Sequence, residues 1–145
     1  MIPRQVHCDT IVDNVSTNAT TPIGGLSVGV AGSNPVYLSN NILWDNTTDD
    51  VYIVSPTIFV DNDYAATVGL PASGSFGNVN VDPQFSSTTD FHLLPTSPLL
   101  GQGNLTPSGN LPTIDIEGNP RSYNGFVDIG AYERGDLIYV NGFDD

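Results

Sequence analysis

The sequence predicts an all-β chain of stacked solenoid coils ending in a C-terminal capping segment, and three observations carry that expectation. Short apolar runs recur with the same polar stop: Thr10-Ile11-Val12-Asp13-Asn14, Ile42-Leu43-Trp44-Asp45-Asn46 and Ile58-Phe59-Val60-Asp61-Asn62. Each has the form of a buried strand followed by a turn, since Asn tolerates left-handed backbone and both stop residues bond locally to the main chain. No stretch shows the periodicity of an amphipathic helix. From about residue 76 the near-repeat gives way to segments that do not resemble one another.

Between the first two runs lie Gly24-Gly25-Leu26-Ser27-Val28-Gly29-Val30 and Val36-Tyr37-Leu38-Ser39-Asn40-Asn41-Ile42, both alternating apolar with small or polar residues. Val51-Tyr52-Ile53-Val54 follows the second. Many short strands joined by Asn, Gly, Thr and Pro leave sandwich, barrel and solenoid open, and a near-repeat favours the solenoid. The spacing between Asp-Asn pairs is unequal. Residues 1–75 read as the last coils, 76–134 as a cap of the same domain and 135–145 as a tail.

Composition narrows the function classes. The 145 residues suffice for one domain, and sixteen acidic groups against three arginines (Arg4, Arg121, Arg134) and no lysine give a formal charge of −13. Nucleic acid and anionic membrane surfaces are unfavourable partners for such a chain. The apolar fraction of 39% separates it from a disordered acidic tail. A surface of Thr, Ser and Asn in place of Lys and Glu fits an extracellular β protein. Cys8, the one cysteine, excludes an internal disulfide and a cysteine zinc site, and is expected as a small buried side chain in a strand. No run approaches the roughly 18 apolar residues of a spanning helix. Because the chain opens on a strand-like run, Met1 reads as the start of a fragment whose export signal lies elsewhere.

The later segments keep a distinctive order: Asn78-Val79-Asn80-Val81-Asp82-Pro83-Gln84-Phe85, then Asp90-Phe91-His92-Leu93-Leu94, Ser97-Pro98-Leu99-Leu100, the turn running from Asp115 through Gly118 to Arg121, and Asp128-Ile129-Gly130-Ala131-Tyr132-Glu133. Over roughly residues 40 to 133 the chain resembles the C-terminal region of bacterial right-handed parallel β-helix proteins, the group with choice-of-anchor Q domains. That resemblance implies a right-handed parallel β-helix (solenoid) fragment, secreted or held on the outer surface of a bacterium, with upstream β-helix coils in the parent chain. The last residues, from Gly135 to Asp145, look like a short tail found at the ends of exported bacterial proteins, with Asp144 where Glu is usual.

Candidate roles follow residue by residue. Ser97 and Pro98 suit an N-cap and first turn stopped at Gly101 or Gly103, with Leu99 and Leu100 as a plug over the coil interior. Arg121 suits bidentate pairing with Asp115, Asp128 or Glu133, a clamp between the last two segments. Alternation in residues 127–133 sets Val127, Ile129 and Ala131 opposite Asp128, Gly130 and Tyr132. Calcium is the one cofactor the acids suggest: Asp45, Asp49, Asp50, Asp61 and Asp63 are its candidate ligands, although their spacing matches no EF-hand loop and solvated turns are the default. Asn40, Asn41, Asn46 and Asn62 alternatively stack as an internal amide ladder. Trp44, Tyr52 and Tyr64 are candidate glycan contacts, with packing as the simpler role. His7 and His92 are isolated from each other in sequence, and alternation in residues 91–94 sets His92 opposite Phe91 and Leu93, at a surface or edge. The sequons at Asn14, Asn18, Asn46 and Asn104 matter only in a eukaryotic secretory host.

Two functions compete. One is a non-catalytic, adhesin-like surface module that binds a polysaccharide or other extracellular ligand. The other is part of a carbohydrate-active enzyme, a lyase or glycosidase, with its catalytic coils upstream. A uronate lyase needs a basic residue and cationic charge near the substrate, which a lysine-free acidic chain lacks, and no pair among the acids stands out as glycosidase carboxylates.

Overall fold

A computed structural model describes residues 4–18, 20, 23–28, 36–53, 57–60, 62–64, 67–68 and 77–135. Nine short strands occur among them and no helix: β1 (Arg4–His7), β2 (Thr10–Val12), β3 (Leu26–Val28), β4 (Val36–Ser39), β5 (Ile42–Trp44), β6 (Val51–Ile53), β7 (Thr57–Val60), β8 (Asp63–Tyr64) and β9 (Thr67–Val68). They form three parallel three-stranded sheets, ordered β1-β4-β7, β2-β5-β8 and β3-β6-β9. Three successive passes of the chain thus each lay one strand on every sheet, in the same order.

The pairing register explains the uneven repeat. Thr10 faces Ile42 across β2 and β5, so the first two apolar runs are equivalent. The third is not. Ile58 and Val60 face Tyr37 and Ser39, which puts Ile58-Phe59-Val60 on the first sheet, one corner earlier in the pass. The Asp-Asn stop therefore serves two different corners. Pass length also shrinks, from an offset of 32 residues between Asp9 and Asn41 to 21 between Asn41 and Asn62.

Both corners use the same local geometry. The strands are ended by residues with positive φ, Cys8 (58°) and Asn40 (58°) between the first and second sheets, Asp13 (55°) and Asp45 (54°) after the second. Asn and Asp accept this region most readily among non-glycine residues, which is why they punctuate the runs. Cys8 is buried as expected, but it sits at a corner and not in a strand.

Behind Asp13, Asn40 and Asp45 comes an asparagine whose side chain ties the passes together: Asn14, Asn41 and Asn46. Asn41 donates its side-chain amide to Asn62 Oδ1 (2.8 Å) and to Val6 O (3.0 Å), while its Oδ1 accepts from Asp9 N (3.0 Å). Asn62 repeats the pattern, donating to Asn78 Oδ1 (3.0 Å) and Leu38 O (3.0 Å). At the other corner Asn14 donates to Asn46 Oδ1 (2.9 Å), and Asn46 to Asp50 Oδ1 (2.8 Å) and Ile11 O (2.9 Å). Asn41, Asn46 and Asn62 are buried, and these hydrogen bonds offset the cost of placing their amides there. Asn40 departs from the expected ladder: it turns away to exchange hydrogen bonds with the backbone of Asn104.

Two apolar clusters result. Val28, Val36, Leu38, Leu43 and Val51, with Val6, Ile11 and Leu26 against them, draw on all three sheets and fill the space between them. Ile42 neighbours Leu43 in β5 and so points the other way. It packs with Leu93, Leu99 and Ile129, flanked by Trp44, Val79, Val81, Phe85 and Leu100. The later segment accordingly brings Phe85, Leu93, Leu99 and Ile129 against the outer side of the second sheet, while Asn78 continues the file of amides beyond Asn62. Leu99 and Leu100 are thus no plug over the interior: each borders the outer cluster.

Candidate functional site

The flank contains no regular element, so side chains hold its backbone. Residues 84–94 form a tight hairpin, with Ser86 N donating to His92 O, Leu94 N to Gln84 O and Ser87 N to Asp90 O. Ser97 Oγ accepts from Leu99 N, as the expected N-cap does, and donates to Pro83 O (2.7 Å); one short turn follows at 98–101, with Leu100 N donating to Ser97 O. Gly101, at φ 66°, ends it.

The acids of the last segments are held by main-chain amides. Asp115 accepts from the backbone of Glu117, Asn119 and Glu133. Glu133 accepts from Asp128 N through both oxygens, and Asp128 accepts from Gly101 N (2.6 Å) and Arg134 N (2.8 Å). Burial works to raise the Asp115 carboxyl, but the amides of Glu133 and Asn119 outweigh it and leave it below the usual range. Burial lifts Asp128, and burial together with the Asp128 charge pushes Glu133 up to about 8.

Arg121 joins this network differently from the predicted bidentate pairing. Its side chain is 1% exposed, and its terminal nitrogens donate to the carbonyls of Gly130 and Ala131 (3.1 Å for the latter). Nε stands 3.9 Å from Glu133 Oε2 and has no hydrogen-bond partner among the described residues. No hydrogen bond joins Arg121 to Asp115 or Asp128 among those residues, so the guanidinium clamps backbone more than carboxylate. The segment it clamps is packed on both sides. Val127, Asp128, Ile129 and Gly130 are all buried, so the expected two-faced strand does not form. Gly130, at φ 112°, lies where a Cβ would come within 2.7 Å of Ile42 Cδ1 and 3.1 Å of Thr10 Oγ1.

Between the 84–94 hairpin and residues 119–135 the flank leaves a cavity of about 500 Å³, lined among others by His92, Leu93, Asn119, Tyr123, Tyr132 and Arg134. His92 Nδ1 bonds Asp90 (2.5 Å) and Nε2 bonds Glu117 (3.1 Å). These two carboxylates, Asp90 foremost, raise the imidazole above its ordinary value, and Asp90 is lowered in return. The ring lies 4.1 Å from that of Tyr132, at an interplanar angle of 37°.

The described members of the predicted ligand sets lie apart in role. Asp50 is buried as the acceptor of Asn46, Asp45 is an exposed corner residue, and Asp49 offers its carbonyl to Gly25 N. Asp61 and the side chain of Asp63 lie outside the described residues. Among the described residues no three His, Cys, Asp or Glu side chains converge on a metal position. Trp44 packs against the outer cluster, Tyr52 is half-buried, and the side chain of Tyr64 lies outside the described residues. His7 bonds Ser39 Oγ (2.6 Å) and Gln5, and burial lowers its pKa. Burial likewise raises the Cys8 thiol, with Arg121 opposing, which disfavours the nucleophilic thiolate. The cavity was not foreseen. Its residues are scattered over 86–135, and no local pattern joins His92 to Tyr132. The chain matches no family model, no curated protein and no solved structure among those compared.

Proposed function

We propose that the chain is the terminal part of a right-handed parallel β-helix in an exported, non-catalytic surface module, adhesin-like in use, whose stiff scaffold presents a flank to a glycan or matrix ligand. The observation that carries this reading is the threefold repetition of strand order across three parallel sheets, cross-linked by two files of side-chain amides whose inner members, Asn41, Asn46 and Asn62, are buried. Stacked passes of this kind resist bending because each shares backbone and side-chain hydrogen bonds with the next. The lysine-free, Asn- and Thr-rich composition supports export, and the ordered motifs after residue 76 support a relation to choice-of-anchor Q proteins.

The non-catalytic part rests on how the acids are held. Asp115, Asp128 and Glu133 each accept main-chain amides, so recruiting one as acid or base would break the contacts that order the flank. Turnover assays on acidic and neutral polysaccharides, with and without calcium, should give no product, while the chain is retained on at least one insoluble polysaccharide. Hydrolysis or lyase products formed by the purified chain would overturn the reading in favour of an enzyme.

A further inference from the structure

We propose that the cavity between the 84–94 hairpin and residues 119–135 is a binding site for a neutral saccharide unit, contacted by Tyr123, Tyr132 and Asn119. This rests on the glycan-binding reading above and deepens it by naming the site and the sugar class. The cavity, about 500 Å³, falls within the roughly 300–1,000 Å³ of small-ligand sites.

Its walls combine what a sugar requires. Tyr132 and Tyr123 supply flat apolar faces for ring C–H groups together with phenol hydroxyls, and Tyr123 is 44% exposed. Neither phenol is hydrogen-bonded among the described residues, so both are open to a ligand hydroxyl. Asn119 is anchored at one end, its Nδ2 donating to Asp115 Oδ2 (3.2 Å). Ordering costs are already met on one side of the cleft. His92 is pinned by Asp90 and Glu117, and its ring backs that of Tyr132, so the stack needs little reorganisation on binding.

Charge selects the class. The imidazole of His92 is flanked by two carboxylates, and Asp128 and Glu133 line the same cavity beside Arg134. Glu133, with its pKa of about 8, is mostly neutral at neutral pH, and Asp90, Glu117 and Asp128 still outnumber Arg134 and His92 around the cleft of a chain whose formal charge is −13, an arrangement that disfavours uronates and other anionic sugars.

Amide NMR of the whole chain tests this with cellotriose, xylotriose, mannotriose, chitotriose and trigalacturonate, each titrated to about 10 mM to reach millimolar affinities. At least one neutral trisaccharide should give saturable shifts at His92, Asn119, Tyr123 and Tyr132. Tyr132→Ala should weaken that binding at least about tenfold. Tyr123→Ala, at a more exposed position, should do the same if the Tyr132 variant loses the dispersed spectrum of a folded chain. Saturable shifts confined to other surfaces would overturn the site while leaving the glycan-binding reading intact. No saturable shift with any sugar would overturn both, and preferential binding of trigalacturonate in the cleft would overturn the neutral class.

Discussion

Replacing Asn41 by alanine should destabilise the fold by about 3 kcal/mol, and the figure follows from what the side chain leaves behind. Asn41 is fully buried and makes three side-chain hydrogen bonds, to Val6 O, Asn62 Oδ1 and Asp9 N. Asn62 Oδ1 keeps one partner, the Asn41 backbone N–H at 3.0 Å, so it is only half stripped. Val6 O and Asp9 N belong to the first pass, where water has readier access. Each of the three losses is therefore set near the lower end of the about 1–3 kcal/mol cost of an unmet buried polar group. Asn14→Ala is the control. Asn14 has the same role but is exposed, so its loss should cost under about 1 kcal/mol. Urea unfolding at constant m measures both, and for a chain of this size the Asn41 variant should also melt about 6–12 °C lower. Asn41→Asp should be worse than alanine at neutral pH, because a carboxylate would face Asn62 Oδ1. It should recover at acidic pH, where the protonated acid donates one bond. If Asn41→Ala costs no more than Asn14→Ala, the buried amides do not hold the passes together as argued.

The flank offers three further tests. Gly130→Ala places a methyl within 2.7 Å of Ile42 Cδ1 at a φ of 112°, and should cost at least about 2 kcal/mol in urea unfolding. For Glu133, whose folded pKa of about 8 exceeds its ordinary 4.5, the stability tied to the neutral carboxyl is complete below pH 4.5 and is lost as pH rises to about 8. Glu133→Gln should therefore gain on the parent chain steadily across that window in pH-dependent melting. The two imidazoles should titrate apart by NMR, His92 above the ordinary 6.5 and His7 below it. Replacing Asp90 by asparagine should bring the His92 midpoint down and leave that of His7 in place.

Much of the short-strand pattern was legible in the residues, though in the wrong register. The apolar runs and their Asp-Asn stops mark strand ends because those side chains tolerate φ near 55°, a local property that any reading of the chain can recover. Their equivalence is another matter. Ile42 pairs with Thr10, but Ile58 pairs with Tyr37, so similar pentapeptides occupy different sheets. Only the stacking of whole passes decides that, and pass lengths of 32 and 21 residues leave no fixed period to find. The ladder was half legible: Asn41, Asn46 and Asn62 join it, while adjacent Asn40 faces Asn104, a choice set by which side of a left-handed corner each one occupies.

The flank was legible as different from the coils, and its contacts were not. Arg121 stood out as a rare base among acids, which is why carboxylate partners were expected. In the fold the carboxylates are claimed by nearby amides, and the guanidinium takes the carbonyls of Gly130 and Ala131 instead. The cavity depends on a hairpin and a segment brought side by side by Ile42, Leu99 and Ile129, none of which lines it. Taken alone, then, the sequence determines the all-β character, the acidic lysine-free surface and the Asp-Asn stops that end the apolar runs at Asp13 and Asp45, because these depend on composition and local backbone preference. Which runs stack, which side of the second sheet the flank covers and what meets in its cleft are decided by long-range packing, and that information exists only once the chain has folded.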